Sequence, residues 1–178
     1  MFYQSHGKKF ITAHGKHAEN WVDYENQPSC QLAHLFNHSS APWLSQKYVR
    51  EVKETTFSDI SSYGGYNGDE DLGQMGALGV LMAIRLYQMD GGASVNSSYE
   101  ITAPVFDKIR IELNPEYYPG DKFLIITENN APDNPYIQKA QLNGTDWTNV
   151  SFSHDAFSKG GSSGSLWGKI PTGIGADR

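Results

Sequence analysis

The chain has 178 residues, enough for one ordinary domain or two small ones, and its apolar fraction of 38% supports a real core. A formal net charge of −6, with Lys and Arg scattered instead of clustered, excludes a phosphate-backbone partner and so nucleic acid. The single cysteine, Cys30, excludes an internal disulfide or a cysteine-based zinc site and reads as a small core residue.

Residues 1–10 carry Gln4, Ser5, His6, Lys8 and Lys9 where a secretory leader needs a continuous apolar run, so no leader is expected in this chain. Residues 1–26 show neither a helical nor a strand period and read as a loop. His6, His14 and His17 lie in it without the carboxylate or helical spacing that a metal site needs. Pro28 and Ser29 open a short predicted helix to Phe36, because proline is at home in a first turn. A second helix is predicted over 42–57, where Leu44, Tyr48, Val49 and Val52 recur at helical spacing and Arg50, Glu51, Lys53 and Glu54 face outward.

The stretch 64–75 organises the rest. Glycines at 64, 65 and 68 bracket the carboxylates Asp69, Glu70 and Asp71, and the segment runs directly into the most apolar helix candidate, 72–89. One carboxylate suffices to cap a helix, so the bland reading is a cap plus first-turn acids. Three in a row repel one another unless a cation, a sugar hydroxyl or a polarised water shares the site. Asn67, Asp69 and Asp71 have the spacing that begins an EF-hand, but Leu72 stands where its glycine belongs and Leu78 where its glutamate belongs. The helix that follows is uncharged from Met75 to Ile84, which predicts burial on all sides, with Gly76 and Gly79 allowing close neighbours. That apolar run is about half the ~20 residues a membrane span requires, so no membrane partner is expected.

At 90–94 the period changes from 3.6 to 2, which places a boundary between a helical part, 1–92, and a β part, 93–178. Strands are predicted over 99–102, 108–113, 122–127 and 136–142, the signature of an antiparallel sheet or sandwich. Asn143-Gly144 is a hairpin signal, 154–159 reads as one helical turn ended by Gly160-Gly161, and 166–170 as a last strand. The fold class is therefore α+β. Ser153-His154-Asp155 is not a hydrolase triad, because adjacent residues cannot face one another in the required geometry. Asn37, Asn96, Asn143 and Asn149 head sequons that permit glycosylation only if the parent protein is secreted by a eukaryote.

The order of these pieces resembles the C-terminal part of glycoside hydrolase family ninety-two, the calcium-dependent exo-acting α-mannosidases. The stretch 68–75, Gly-Asp-Glu-Asp-Leu-Gly-Gln-Met, is similar to the family's acidic signature. The segment 25–29 resembles its Gly-Asn-Glu-Pro-Ser stretch, and Ala41-Pro42-Trp43 through Gln46, Val49 and Arg50 its Pro-Trp helix. Ala103-Pro104-Val105-Phe106-Asp107-Lys108, then Tyr136-Ile137-Gln138 with Leu142-Asn143-Gly144, then His154 with Gly160-Gly161 follow in the family's order.

The resemblance implies a fragment of an (α/α)6 barrel, about three helices of it, followed by an antiparallel β subdomain. It also implies inverting hydrolysis of terminal α-mannosides, in which an acid and a base stand ~6.5–9.5 Å apart across the sugar. Asp71 is the first choice of base and Asp69 the second, with Glu70, Trp43, Tyr24 and Tyr66 as sugar contacts. Glu25, Asn26 and Gln27 are oxygen donors of the kind calcium takes, although the family carries Gly at the position of Glu25 and Glu at that of Gln27. The family's general acid lies upstream of the 25–29 stretch, so the expected partners are a mannose-containing glycan and the remainder of the same polypeptide: an N-terminal β-sandwich and the rest of the barrel. A secreted, periplasmic or cell-surface parent is expected, and the chain by itself is expected to be inactive. The alternative is a non-catalytic carbohydrate-binding or interaction module, in which Trp21, Tyr24, Trp43, Tyr63 and Tyr66 offer rings for sugar stacking.

Overall fold

The computed structural model describes Phe2, Gln4, Phe10 and residues 22–24, 27–61 and 71–172. Helix α1, Trp43–Thr56, and helix α2, Gln74–Ile84, are followed further on by the single-turn α3, His154–Ser158. The strands are β1 Ser98–Glu100, β2 Lys108–Glu112, β3 Lys122–Glu128, β4 Tyr136–Leu142, β5 Thr145–Asp146, β6 Ser151–Ser153 and β7 Gly161–Gly168. Among the described residues this α+β arrangement has two sheets: β1 pairs with β6, and the larger sheet runs β2-β3-β7-β4-β5.

The amphipathic pattern of 42–57 becomes α1 nearly to the residue, with Pro42 before the first turn and Phe57 closing the last. Val49 and Val52 face inward and join Tyr24, Cys30, Met75, Leu78 and Met82 in one apolar cluster. The segment 28–36 does not form the expected α-helix. It makes two 3₁₀ turns, Gln27–Ser29 and Leu35–His38, because side chains intercept the backbone: the Tyr24 hydroxyl accepts the Ala33 N–H, and Ser45 Oγ accepts the Asn37 N–H while donating to the His34 carbonyl.

The second helix is shorter than the 72–89 predicted. Arg85 adopts a left-handed backbone, φ 55°, and ends it. The reason is tertiary: the Arg85 guanidinium is fully buried and donates to Ser165 Oγ at 3.0 Å and to Ser163 Oγ, both on β7. Leu86 and Tyr87 then leave the helix, and Tyr87 bridges to Glu100 of β1. Close packing around α2 uses its small residues, since a Cβ at Gly79 would meet the Phe57 ring at 3.2 Å.

In the β part, β4 and the hairpin at Asn143 (φ 52°) and Gly144 (φ 79°) fall where the sequence predicts them. The last strand differs. It begins at Gly161, not Leu166, lies at the centre of the larger sheet, and pairs parallel with β3 and antiparallel with β4, so that this sheet is mixed. Glycine and serine weaken a strand's sequence signal, but here Ser163, Ser165 and Trp167 point into a second apolar cluster with Phe123, Ile125, Ile137 and Phe157.

The helical and β parts are stitched together by buried polar contacts. Asn37 Nδ2 donates to Glu100 Oε2 at 2.7 Å, Gln46 Oε1 accepts from the Ile137 N–H at 2.9 Å, and Arg50 Nη1 reaches Asn130 Oδ1 at 2.7 Å. His34 is buried in the same seam, stacked on Tyr87 at 4.0 Å between ring centroids, and no described residue meets hydrogen-bond geometry at either ring nitrogen. Burial pushes its pKa from 6.5 down to about 3, against the opposing effect of the Cys30 backbone. Below pH 6.5 the unfolded chain therefore takes up a proton that the folded protein refuses until about pH 3, and stability falls as pH falls through that window. Urea unfolding of the full-length protein at pH 7 and pH 5 should show ~2 kcal/mol lost at His34. His34→Phe should abolish that part of the pH dependence. An unchanged dependence in the variant would mean that His34 charges in place.

Candidate active site

Three consecutive left-handed residues lead into α2: Asp71 at φ 50°, Leu72 at φ 59° and Gly73 at φ 91°. Only glycine takes this conformation freely, and a side-chain-bearing residue costs ~1–2 kcal/mol there, somewhat less for aspartate. Two main-chain bonds hold the turn, from the Gln74 N–H to the Asp71 carbonyl at 3.2 Å and from the Ala77 N–H to the Gly73 carbonyl at 2.9 Å. The cap position is Gly73, which has no side chain to offer, and no acidic residue lies in the first helical turn. Asp71 thus does not cap α2. Its carboxylate is exposed, with no hydrogen bond or ion pair from a described residue.

The turn Gln27–Ser29 comes to the same end of α2, joined there through Cys30. The Cys30 thiol is 3.9 Å from Met75 Sδ, and Gln74 Nε2 approaches Cys30 Sγ at 3.8 Å. Cys30 is core, as its residue type predicts, at 3% exposure, and it is also the link between these two segments, which no local sequence signal marks. Burial pushes the thiol pKa up, so it sits there as a neutral group. Gln27 is half-buried, and its main-chain carbonyl accepts the Cys30 N–H at 2.9 Å.

Of the expected sugar contacts, Tyr24 is in the core. It is fully buried, its ring packs edge-on to Phe57, and its hydroxyl is taken by Ala33, which leaves no face for a sugar. Burial also raises its pKa far above the ordinary tyrosine range. Trp43 is half-buried at the start of α1, and no hydrogen bond or ring contact joins it to the Asp71 turn. Asp69, Glu70, Tyr66, Glu25 and Asn26 lie outside the described residues. Among the described residues no group of three or more His, Cys, Asp and Glu side chains is placed to hold a metal ion.

One stripe of α2 is open, contrary to burial on all sides. Val80 is 58% exposed, and an apolar groove runs on either side of it. The groove of about 430 Å³ is lined by Cys30, Gln74, Ala77, Leu81 and Tyr87, and that of about 610 Å³ by Phe57, Gly76, Val80, Ile84 and Phe106.

The model of the glycosyl hydrolase family 92 catalytic domain matches residues 1–163. The chain belongs to glycosyl hydrolase family 92. An inverting mannosidase of family 92 from Bacteroides thetaiotaomicron VPI-5482 is 32% identical, with a TM-score of 0.73 over 86% of this chain and 20% of its own. A family 92 α-mannosidase from Bacteroides thetaiotaomicron, solved with mannoimidazole, shares the fold with a TM-score of 0.77 at 20% identity, over 96% of this chain and 22% of its own. An uncharacterised secreted glycosidase of Arthroderma benhamiae is 28% identical over 145 residues, 82% of this chain and 18% of that protein. The chain thus spans about a fifth of the length of these relatives. Among the described residues no helix is long and apolar enough to cross a membrane.

Proposed function

We propose that this family 92 chain is the C-terminal portion of an inverting, calcium-dependent exo-α-mannosidase that removes terminal mannose from glycans, with Asp71 as its general base. The observation that carries the reading is the Asp71 carboxylate, exposed and unused by the helix it precedes, inside the acidic signature at 68–75. In an inverting hydrolysis Asp71 accepts the proton of the water that attacks the anomeric carbon, while an acid on the opposite face protonates the departing oxygen. That acid comes from the rest of the polypeptide, which also covers the two grooves beside Val80. Asp69 is the second candidate for the base, and Glu70, Tyr66 and Trp43 contact the sugar; Tyr24 supports the loop from the core.

Calcium suits the oxygen donors of the 25–27 segment, Glu25, Asn26 and Gln27, and Gln27 lies on the turn that Cys30 joins to the Asp71 end of α2. Bound there, it would supply Lewis acidity toward the mannose hydroxyls and the attacking water. The likeness to a secreted fungal glycosidase favours action outside the cytoplasm. Full-length protein treated with a chelator should lose α-mannosidase activity and recover it on addition of calcium. Activity that survives exhaustive chelation would remove calcium from this reading.

A further inference from the structure

Among the described residues the left-handed turn at 71–73 is held by main-chain hydrogen bonds alone, with no side-chain hydrogen bond to offset its backbone cost. It places an exposed leucine and an aspartate in the region of backbone space that side chains avoid, and in return the helix gains no side-chain cap. Leu72 is fully exposed, so no described residue gives its side chain burial that would offset its backbone. A relaxed alternative is close at hand. If Leu72 took right-handed helical angles, α2 could begin earlier and Asp71 would fall at the position from which a carboxylate accepts the free N–H groups of a first turn. Aspartate is among the best residues for that role, and the carboxylate would then be occupied.

We infer that Leu72 is a positioning residue: its left-handed backbone keeps Asp71 from capping its own helix and so leaves the carboxylate free to act as a base. The inference rests on the proposed role of Asp71, but it concerns backbone conformation and not the identity of the base. What matters at position 72 is then tolerance of positive φ and not an apolar side chain. Glycine and asparagine tolerate it, whereas valine and isoleucine do not.

The test is a substitution series in the full-length protein, assayed on an aryl α-mannoside. Leu72→Gly and Leu72→Asn should keep kcat within about threefold of the parent with Tm unchanged or higher. Leu72→Val and Leu72→Ile should lose kcat by tenfold or more at nearly constant KM, and amide exchange at Gly73 and Gln74 should slow as the carboxylate moves onto the helix. The opposite order, with Leu72→Val active and Leu72→Gly and Leu72→Asn impaired more than tenfold, would overturn the inference and make Leu72 a side-chain contact. If valine at this position prevents folding, the glycine and asparagine arms still decide. Full activity in Asp71→Asn would instead defeat the base assignment, an outcome distinct from any in the Leu72 series.

Discussion

Asp71→Asn in the full-length protein is expected to lower kcat by about 10²–10⁴-fold, the usual size of a general-base contribution, with little change in KM or Tm. Asparagine has the same shape, cannot accept the proton, and tolerates a left-handed backbone as well as aspartate does, so the turn at φ 50° should survive. Because the carboxylate takes no hydrogen bond from a described residue, little stability should be lost with it. The result therefore separates chemistry from structure cleanly. A fully active Asp71→Asn protein together with an inactive Asp69→Asn protein would transfer the role to Asp69.

A still larger loss is expected for residues 1–178 expressed alone: no measurable release of mannose. Without an acid to protonate the leaving oxygen an alkoxide must depart unaided, and without surrounding walls the Asp71 turn neither excludes water nor orients a sugar. The same protein should betray its uncovered surface. Val80 and the two flanking grooves leave apolar surface in water that the rest of the polypeptide is proposed to cover, so the isolated chain should self-associate and bind a hydrophobic dye. Light scattering, dye fluorescence and an α-mannosidase assay on one preparation test both halves of the statement. A monomeric, dye-silent chain that turns over an α-mannoside would refute it and direct the search for an acid to Glu19, Glu25 and Glu70.

Much of the helical part was legible because its signals are local. The apolar spacing of Leu44, Tyr48, Val49 and Val52 defines α1, and Asn143-Gly144 defines the tightest hairpin. What escaped the sequence was decided by distant partners. Two serines nearly eighty residues away bury Arg85 and stop α2 early, the Tyr24 and Ser45 hydroxyls turn 28–36 away from an α-helix, and neighbouring strands on both sides draw Gly161–Gly168 into the sheet. The candidate site divides in the same way. The acidic signature marked Asp71, and its chemistry could be weighed against capping from sequence alone. That the cap is refused, through two side-chain-bearing residues at positive φ, required backbone angles that the sequence does not encode visibly. Tyr24 looks like a sugar platform in the sequence only because aromatic residues at a loop and in a core have the same letters; its ring is packed by Phe57, which is remote in sequence, and its hydroxyl is taken by the nearby Ala33.

The placement of β7 sets the order in which the β part can be completed. Its two neighbours, β3 and β4, are consecutive in the chain, yet they do not pair with each other; the strand between them is synthesised after every other strand among the described residues. Until it arrives, the larger sheet is two separate hairpins, β2-β3 and β4-β5, each with an open edge, and the edge of β3 carries Phe123, Leu124, Ile125 and Ile126. On a ribosome adding ~5–20 residues per second, the interval between completing β3 and completing β7 is ~2–8 s. During that time the nascent chain displays an apolar strand edge of the kind that pairs with other chains, so its yield in expression should depend on temperature and chaperone supply more than its final packing suggests.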